Sequence, residues 1–171
     1  MTYLLADQVE TLRPQSTPLE LPVALEIVKG VARGLDYLHC LGIVHRDIKC
    51  SNIMVCQEKG ECVPKIIDFG LAYHPQFKGR MTQHGFCIGT PFYISPERAQ
   101  SDVGDIRSDI YSLGVVFYKM ATGLYPFDVP TSDDMGEAEG QVFDPCMFNP
   151  EISPDVKDRK STRLNSSHVS Q

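Results

Sequence analysis

The 171-residue chain has no excess of positive charge: 16 lysines and arginines stand against 22 aspartates and glutamates, a formal charge of −6. Binding to nucleic acid or an anionic membrane surface through phosphates needs the opposite balance, so no nucleic-acid partner is expected. No apolar run is long enough to span a bilayer. Met1 is followed by TYLLADQVE, which has neither a basic stretch nor a small-residue cleavage site, so no signal peptide is read there. The chain also lacks a C-x-x-C pair and any Cys/His cluster at zinc spacing. Its six cysteines, Cys40, Cys50, Cys56, Cys62, Cys87 and Cys146, are scattered in the manner of reduced thiols. Cys56 and Cys62 are the pair that a hairpin could bring face to face. These absences together lead to the expectation of a cytoplasmic setting, with no metal site built from thiols.

What is present is ordinary for one folded domain: 42% apolar, 22% charged and 9% aromatic residues, with no internal repeat. The composition breaks at DRKSTRLNSSHVSQ, residues 158 to 171, which is polar and aperiodic. Read back into codons, its first eleven residues resemble a common short-read sequencing adapter. Residues 158–171 are therefore expected to be a translated artefact and are set aside. The domain proper is expected to occupy residues 1–157, with the native protein continuing beyond it.

Apolar residues recur at Val28, Val31, Ala32, Leu35, Leu38 and Cys40, with Pro22 near the start and Gly42 past the end, which predicts a core-packed helix from Pro22 to Leu41. Ile43 and Val44 are expected to form a brief strand, HRDIKCS a loop, and Ile53 to Cys56 a second strand. QEKGE turns the chain, and Val63 to Ile67 returns as a third strand that ends in Asp68, Phe69 and Gly70. Such a hairpin makes Asn52 and Asp68 neighbours at its base. Ile110, Leu113, Val116, Phe117 and Met120 mark another helix stopped by Gly123. The long segment between Asp68 and that helix has little periodicity and starts at a carboxylate cluster, which favours a functional loop. Residues 129 to 150 read as an acidic surface loop.

Two carboxylates in different surroundings can divide labour. Asp68, beside the amide oxygen of Asn52, offers the oxygen ligands that suit Mg²⁺, which takes one or two carboxylates and keeps sites for water and phosphate. Asp47 is the better base or orienting group toward a hydroxyl, and Lys49 can neutralise a phosphoryl group in transfer. Phosphoryl transfer depends mostly on such positioning and electrostatics.

HRDIKCSN at 45–52 resembles the protein-kinase catalytic loop, DFG at 68–70 the metal-binding motif, and SPE at 95–97 the motif that closes the activation segment. GTPFYISPERAQ and RSDIYSLGVVFYKMATGLYPF are similar to the docking loop and central helix of bacterial Hanks-type serine/threonine kinases. The resemblance runs from Met1 to about Lys157. It implies an α+β, protein-kinase-like fold: a mainly helical C-lobe with a small β-hairpin at the active site, preceded by the hinge, with the N-lobe missing. It implies ATP and Mg²⁺ as cofactors and protein serine or threonine hydroxyls as substrates.

Carried over by position, the resemblance makes Asp47 the catalytic base, Lys49 a phosphate-stabilising partner, and Asn52 and Asp68 the Mg²⁺ ligands. Thr90 would bridge toward Asp47 and Lys49. The backbone from Thr2 to Leu4 would face adenine. Arg46 would pair with a phosphorylated residue of the activation segment, for which Thr82 is the candidate; an unmodified loop threonine is the alternative. Asp109 would hold the catalytic-loop backbone, Glu97 would await a basic partner, and His45 would be a packed scaffold residue. Cys50 stands where many relatives have proline, and is read as a tolerated loop residue. Tyr37, Phe69 and Phe92 are read as core or docking aromatics.

The family's glycine-rich loop, strand lysine and helix glutamate do not precede Met1. The 171 residues are therefore expected to be a fragment with little or no activity of its own and with normally buried surface exposed. The resemblance leaves dimerisation and membrane anchoring of a full-length kinase open. The alternative reading is a pseudokinase or docking module without catalysis.

Overall fold

A computed structural model describes residues 2–9, 18–73, 91–100, 105–127 and 142–152. Its elements, in chain order, are strand β1 (Thr2–Leu4), helix α1 (Leu5–Val9), helix α2 (Leu21–Cys40), strands β2 (Ile53–Glu58) and β3 (Glu61–Ile66), helix α3 (Pro96–Gln100) and helix α4 (Ile106–Thr122). Short 3-10 turns occupy Cys50–Asn52, Pro91–Tyr93 and Pro145–Met147. The strands form one small antiparallel sheet of order β1-β2-β3, against which α1 and α2 pack. No helix among the described residues is long and apolar enough to cross a membrane.

The two long helices form where their periodicity demands. In α2 the buried residues Ala24, Ile27, Val31 and Leu35 recur every three or four positions, which turns one stripe inward. Helix α4 opens on Asp105, whose carboxylate accepts from the Arg107 backbone N–H at 2.8 Å, and closes on Gly123 at φ 76°. A side-chain cap at one end and a left-handed glycine at the other fix its ends. Leu113, Val116 and Met120 from α4 meet the α2 stripe, Ile53 and Val55 of β2, and Leu5 and Val9 of α1 in one core.

The hairpin is longer and tighter than its sequence suggests. Only Lys59 (φ 53°) and Gly60 (φ 85°) form the turn, a two-residue connection with both residues left-handed, so β2 runs on to Glu58. Cys56 lies opposite Val63 and Cys62 opposite Gln57, so strand alternation sends the two thiols to opposite faces and rules out their pairing. Both are free thiols. The brief strand anticipated at Ile43 and Val44 is a single bridge from Val44 to Tyr73, since only one residue there finds a partner. Tyr37 is solvent-exposed rather than part of the core, whereas Phe92 is buried.

Helix α2 crosses the sheet at close range. A Cβ built on Gly30 would lie 2.3 Å from Pro64 Cγ, and one on Gly34 would lie 3.2 Å from Ile66 Cδ1. The missing side chains let backbone and strand β3 approach, and β3 as an edge strand tolerates Pro64. Gly114 in α4, by contrast, has nothing within 4 Å of its Cβ position. Gly30→Ala is expected to destabilise the chain by about 1–3 kcal/mol through overpacking, despite its gain in helix propensity. Gly114→Ala should stabilise it by up to about 1 kcal/mol. Urea unfolding of both variants checks the opposite signs; equal effects would contradict the packing described.

Candidate active site

The segment from His45 to Asn52 carries its polar side chains because its backbone is held from below by α4. Asp109, one turn into that helix and buried, accepts the backbone N–H of His45 at 2.9 Å on Oδ2 and that of Arg46 at 2.8 Å on Oδ1. His39, from the last turn of α2, places Nε2 2.9 Å from the same Oδ2. A buried carboxylate is tolerable only with such partners, because removing its donors leaves an uncompensated charge. Arg46 itself sits at φ 68°, a left-handed conformation that costs a non-glycine residue about 1–3 kcal/mol. Asp68, at φ 61°, is the other non-glycine residue outside the hairpin turn with this conformation among those described.

Above this base, Asp47 Oδ2 is 2.8 Å from Lys49 Nζ and accepts a 2.8 Å hydrogen bond from Asn52 Nδ2, which also donates to the Asp47 carbonyl at 2.8 Å. Asp47 and Lys49 are each about a quarter exposed, so the pair opens to solvent rather than closing on itself. Asn52 is turned by the 3-10 helix Cys50–Asn52, whose N–H of Asn52 reaches the Lys49 carbonyl at 3.0 Å. The hairpin brings Asp68 alongside: the Ile67 N–H donates to the Asn52 carbonyl at 3.0 Å. The side chain of Asn52 nevertheless turns to Asp47, not across the hairpin to Asp68. Asp68 is exposed and accepts from the Gly70 N–H at 3.1 Å on Oδ1.

These donors fit a hard divalent cation. Neither Asn52 Oδ1 nor Asp68 Oδ2 accepts a hydrogen bond from a described residue, which leaves an amide oxygen and a carboxylate oxygen for an incoming ligand. Among the described residues no group of three or more His, Cys, Asp or Glu is arranged to hold a metal. Any cation here would draw its remaining ligands from water or phosphate, as Mg²⁺ does.

His45 is fully buried, edge-on to Phe69 at 5.0 Å. The Asp47 N–H points at its Nδ1 at 3.3 Å, so the ring proton sits on Nε2 and is given to the Ile67 carbonyl at 3.3 Å. His45 thereby ties the strand before Asp68 to the loop before Asp47. Burial holds its pKa below the usual 6.5, outweighing Asp109 and the other neighbouring carboxylates.

The remaining residues named from the sequence are placed as follows. Thr82 and Thr90 lie outside the described residues. Arg46 lays its guanidinium over the Tyr73 ring, 4.2 Å from the centroid. Glu97, exposed on α3, accepts from Ser108 Oγ at 3.0 Å. Thr2 and Leu4 belong to β1, which pairs with β2 through Thr2 with Cys56 and Leu4 with Met54. Sequence reasoning missed His39 and Arg98, whose Nη1 donates to the Arg46 carbonyl. It also missed Met54 beside Leu4. A three-residue strand carries no periodicity, and partners seventy positions apart carry no spacing signal.

A family profile described as "Protein kinase domain" matches residues 1–167. The chain is 47% identical over 103 residues to the probable serine/threonine-protein kinase PknB of Bifidobacterium longum, covering 60% of the chain and 14% of that protein. It is 38% identical over 141 residues to the serine/threonine-protein kinase PknB of Mycobacterium leprae, covering 81% and 22%. The chain thus spans about a fifth or less of the length of these relatives. A crystal structure of the Rad53 kinase domain and SCD2 superimposes with a TM-score of 0.65 at 26% identity, over 82% of this chain and 49% of that one. The fold is therefore protein-kinase-like.

Asp109→Asn should cost about 3 kcal/mol or more, since an amide cannot accept on both sides, and chemical denaturation measures it. His45 sets a pH dependence. The unfolded chain takes up a proton near 6.5, while the folded chain resists it. Stability is thus complete above that pH and falls below it, by up to about 1.4 kcal/mol per pH unit until the folded pKa is reached. His45→Leu should flatten the dependence over that window; an unchanged slope would assign it to other groups.

Proposed function

Because the chain belongs to the protein kinase domain family, we propose that it forms the hinge and part of the C-lobe of a kinase that transfers the γ-phosphate of ATP to serine or threonine hydroxyls of proteins. The observation that carries this reading is the convergence of Lys49 Nζ and Asn52 Nδ2 on Oδ2 of Asp47, with Asp68 at the adjoining strand end. One carboxylate is oriented and charge-compensated while the other keeps an oxygen open. That division suits proton acceptance on one side and cation binding on the other.

In this reading Asp47 receives the substrate hydroxyl and accepts its proton at the carboxylate. Asn52 and Lys49 keep that carboxylate from rotating, and Lys49 also faces the phosphoryl group. Asn52 Oδ1 and Asp68 would hold Mg²⁺, and the bound Mg²⁺–ATP supplies the phosphoryl group together with charge neutralisation. Strand β1 lies at the sheet edge, and its outer side has no strand partner among the described residues. Its backbone groups from Thr2 to Leu4 are therefore suited to adenine, with Met54 beside Leu4. Arg46 is proposed to read a phosphate on Thr82, and Thr90 to complete the hydroxyl site. Residues 158–171 are assigned no part in this site.

No glycine-rich loop with a following strand lysine precedes Asp47 in the 171 residues. The chain alone is accordingly expected to transfer little or no phosphate from radiolabelled ATP to a general protein substrate. In a parent protein that supplies those parts, Asp47→Asn and Asp68→Ala should each lower turnover by about a hundredfold or more. A parent whose Asp47→Asn variant keeps its turnover would exclude Asp47 as the base. A parent reading frame without the strand lysine would favour a docking module.

A further inference from the structure

The Arg46–Asp47 peptide is held on both sides, and one of its holders has no part in the chemistry described so far. Arg46 stands at φ 68°, a conformation that persists only where the surroundings over-determine it. Asp109 Oδ1 takes the Arg46 N–H at 2.8 Å. The Arg46 carbonyl accepts from Nη1 of Arg98 on α3. A peptide is planar and trans, so its carbonyl and the next N–H point in opposite directions, and fixing one fixes the other. The next N–H here is that of Asp47, which points at His45 Nδ1 at 3.3 Å.

We propose that Arg98 is a positioning residue: by gripping the Arg46 carbonyl it sets the plane of the Arg46–Asp47 peptide and so aims the Asp47 carboxylate. The functional weight of this rests on Asp47 being the base. Arg98 is itself well placed to act as an anchor. Its own N–H reaches the Ser95 carbonyl at 3.0 Å, Ser95 Oγ donates to Ser108 Oγ at 3.1 Å, and Ser108 Oγ donates to Glu97 at 3.0 Å. Helix α3 is thus tied to α4, the helix that carries Asp109, so the grip on the Arg46 carbonyl and the grip on the Arg46 N–H, in the preceding peptide, come from one connected unit. Arg98 Nε is buried without a hydrogen-bond partner among the described residues. An arginine free to swing into water would relieve that atom, so its inward pose is maintained by the carbonyl it holds. The consequence is a direct mechanical link between the Ser-Pro-Glu segment and the orientation of Asp47.

Amide hydrogen exchange on the full 171-residue chain, read residue by residue by NMR, tests this with two variants. Arg98→Met keeps the bulk and removes the donor. It should accelerate exchange at Arg46 and Asp47 by about five- to tenfold, while the core amides of Leu35 and Val116 stay within about twofold. Arg98→Lys restores a single donor and should return both sites to wild-type rates. Unchanged exchange at Asp47 in Arg98→Met overturns the proposal, as does uniform acceleration with the core, which a merely structural residue would produce. If Arg98→Met does not fold, Arg98→Lys decides: wild-type protection at Asp47 supports the grip and its loss overturns it. These rates do not depend on phosphate transfer. An active Asp47→Asn parent would remove the kinase role of Asp47 and leave them unmoved.

Discussion

The buried carboxylate of Asp109 is the interaction on which the rest of the site depends. It is 1% exposed and is compensated by two backbone N–H groups and the His39 ring. A charge buried this deeply would raise the energy of any arrangement that lost those donors. The loop from His45 to Asn52 therefore has one low-energy seat on α4. The helix can offer that seat because both of its ends are capped and its apolar side is buried against α2. The packing of two amphipathic helices is in this way converted into the position of a polar loop.

The strain in the site is concentrated where it is best opposed. Arg46 and Asp68 both have left-handed backbones, and His45 bridges them, with Nδ1 toward the Asp47 N–H and Nε2 on the Ile67 carbonyl. A single buried ring thus spaces the loop that carries one carboxylate from the strand that carries the other. Strain of this kind is common where side chains must be aimed outward instead of being packed.

The match to the protein kinase domain covers residues 1–167 and includes this assembly. The chain spans only about a fifth of the length of the relatives it matches, yet the short stretch from His45 to Asp68 holds the Asp47–Lys49 ion pair, the Asn52 amide and the exposed Asp68 carboxylate. A loop, a hairpin and one helix suffice to arrange them. Packing at Gly30 and Gly34 brings the hairpin onto α2, so the sheet cannot drift relative to the helix whose last turn carries His39.

Local chemistry made much of this legible in the sequence. The period of α2, the glycine that ends α4, the hairpin and the density of polar groups in HRDIKCSN depend on residues within a few positions of one another. Their physics is contained in short windows. Tertiary structure alone decided that His39 and Asp109 meet, that β1 pairs with β2, that Asn52 turns to Asp47, and that Arg98 reaches the Arg46 carbonyl. Those contacts join segments whose approach is set by core packing, and a hydrogen-bonding side chain carries no mark in the sequence of which distant partner the packing will bring to it.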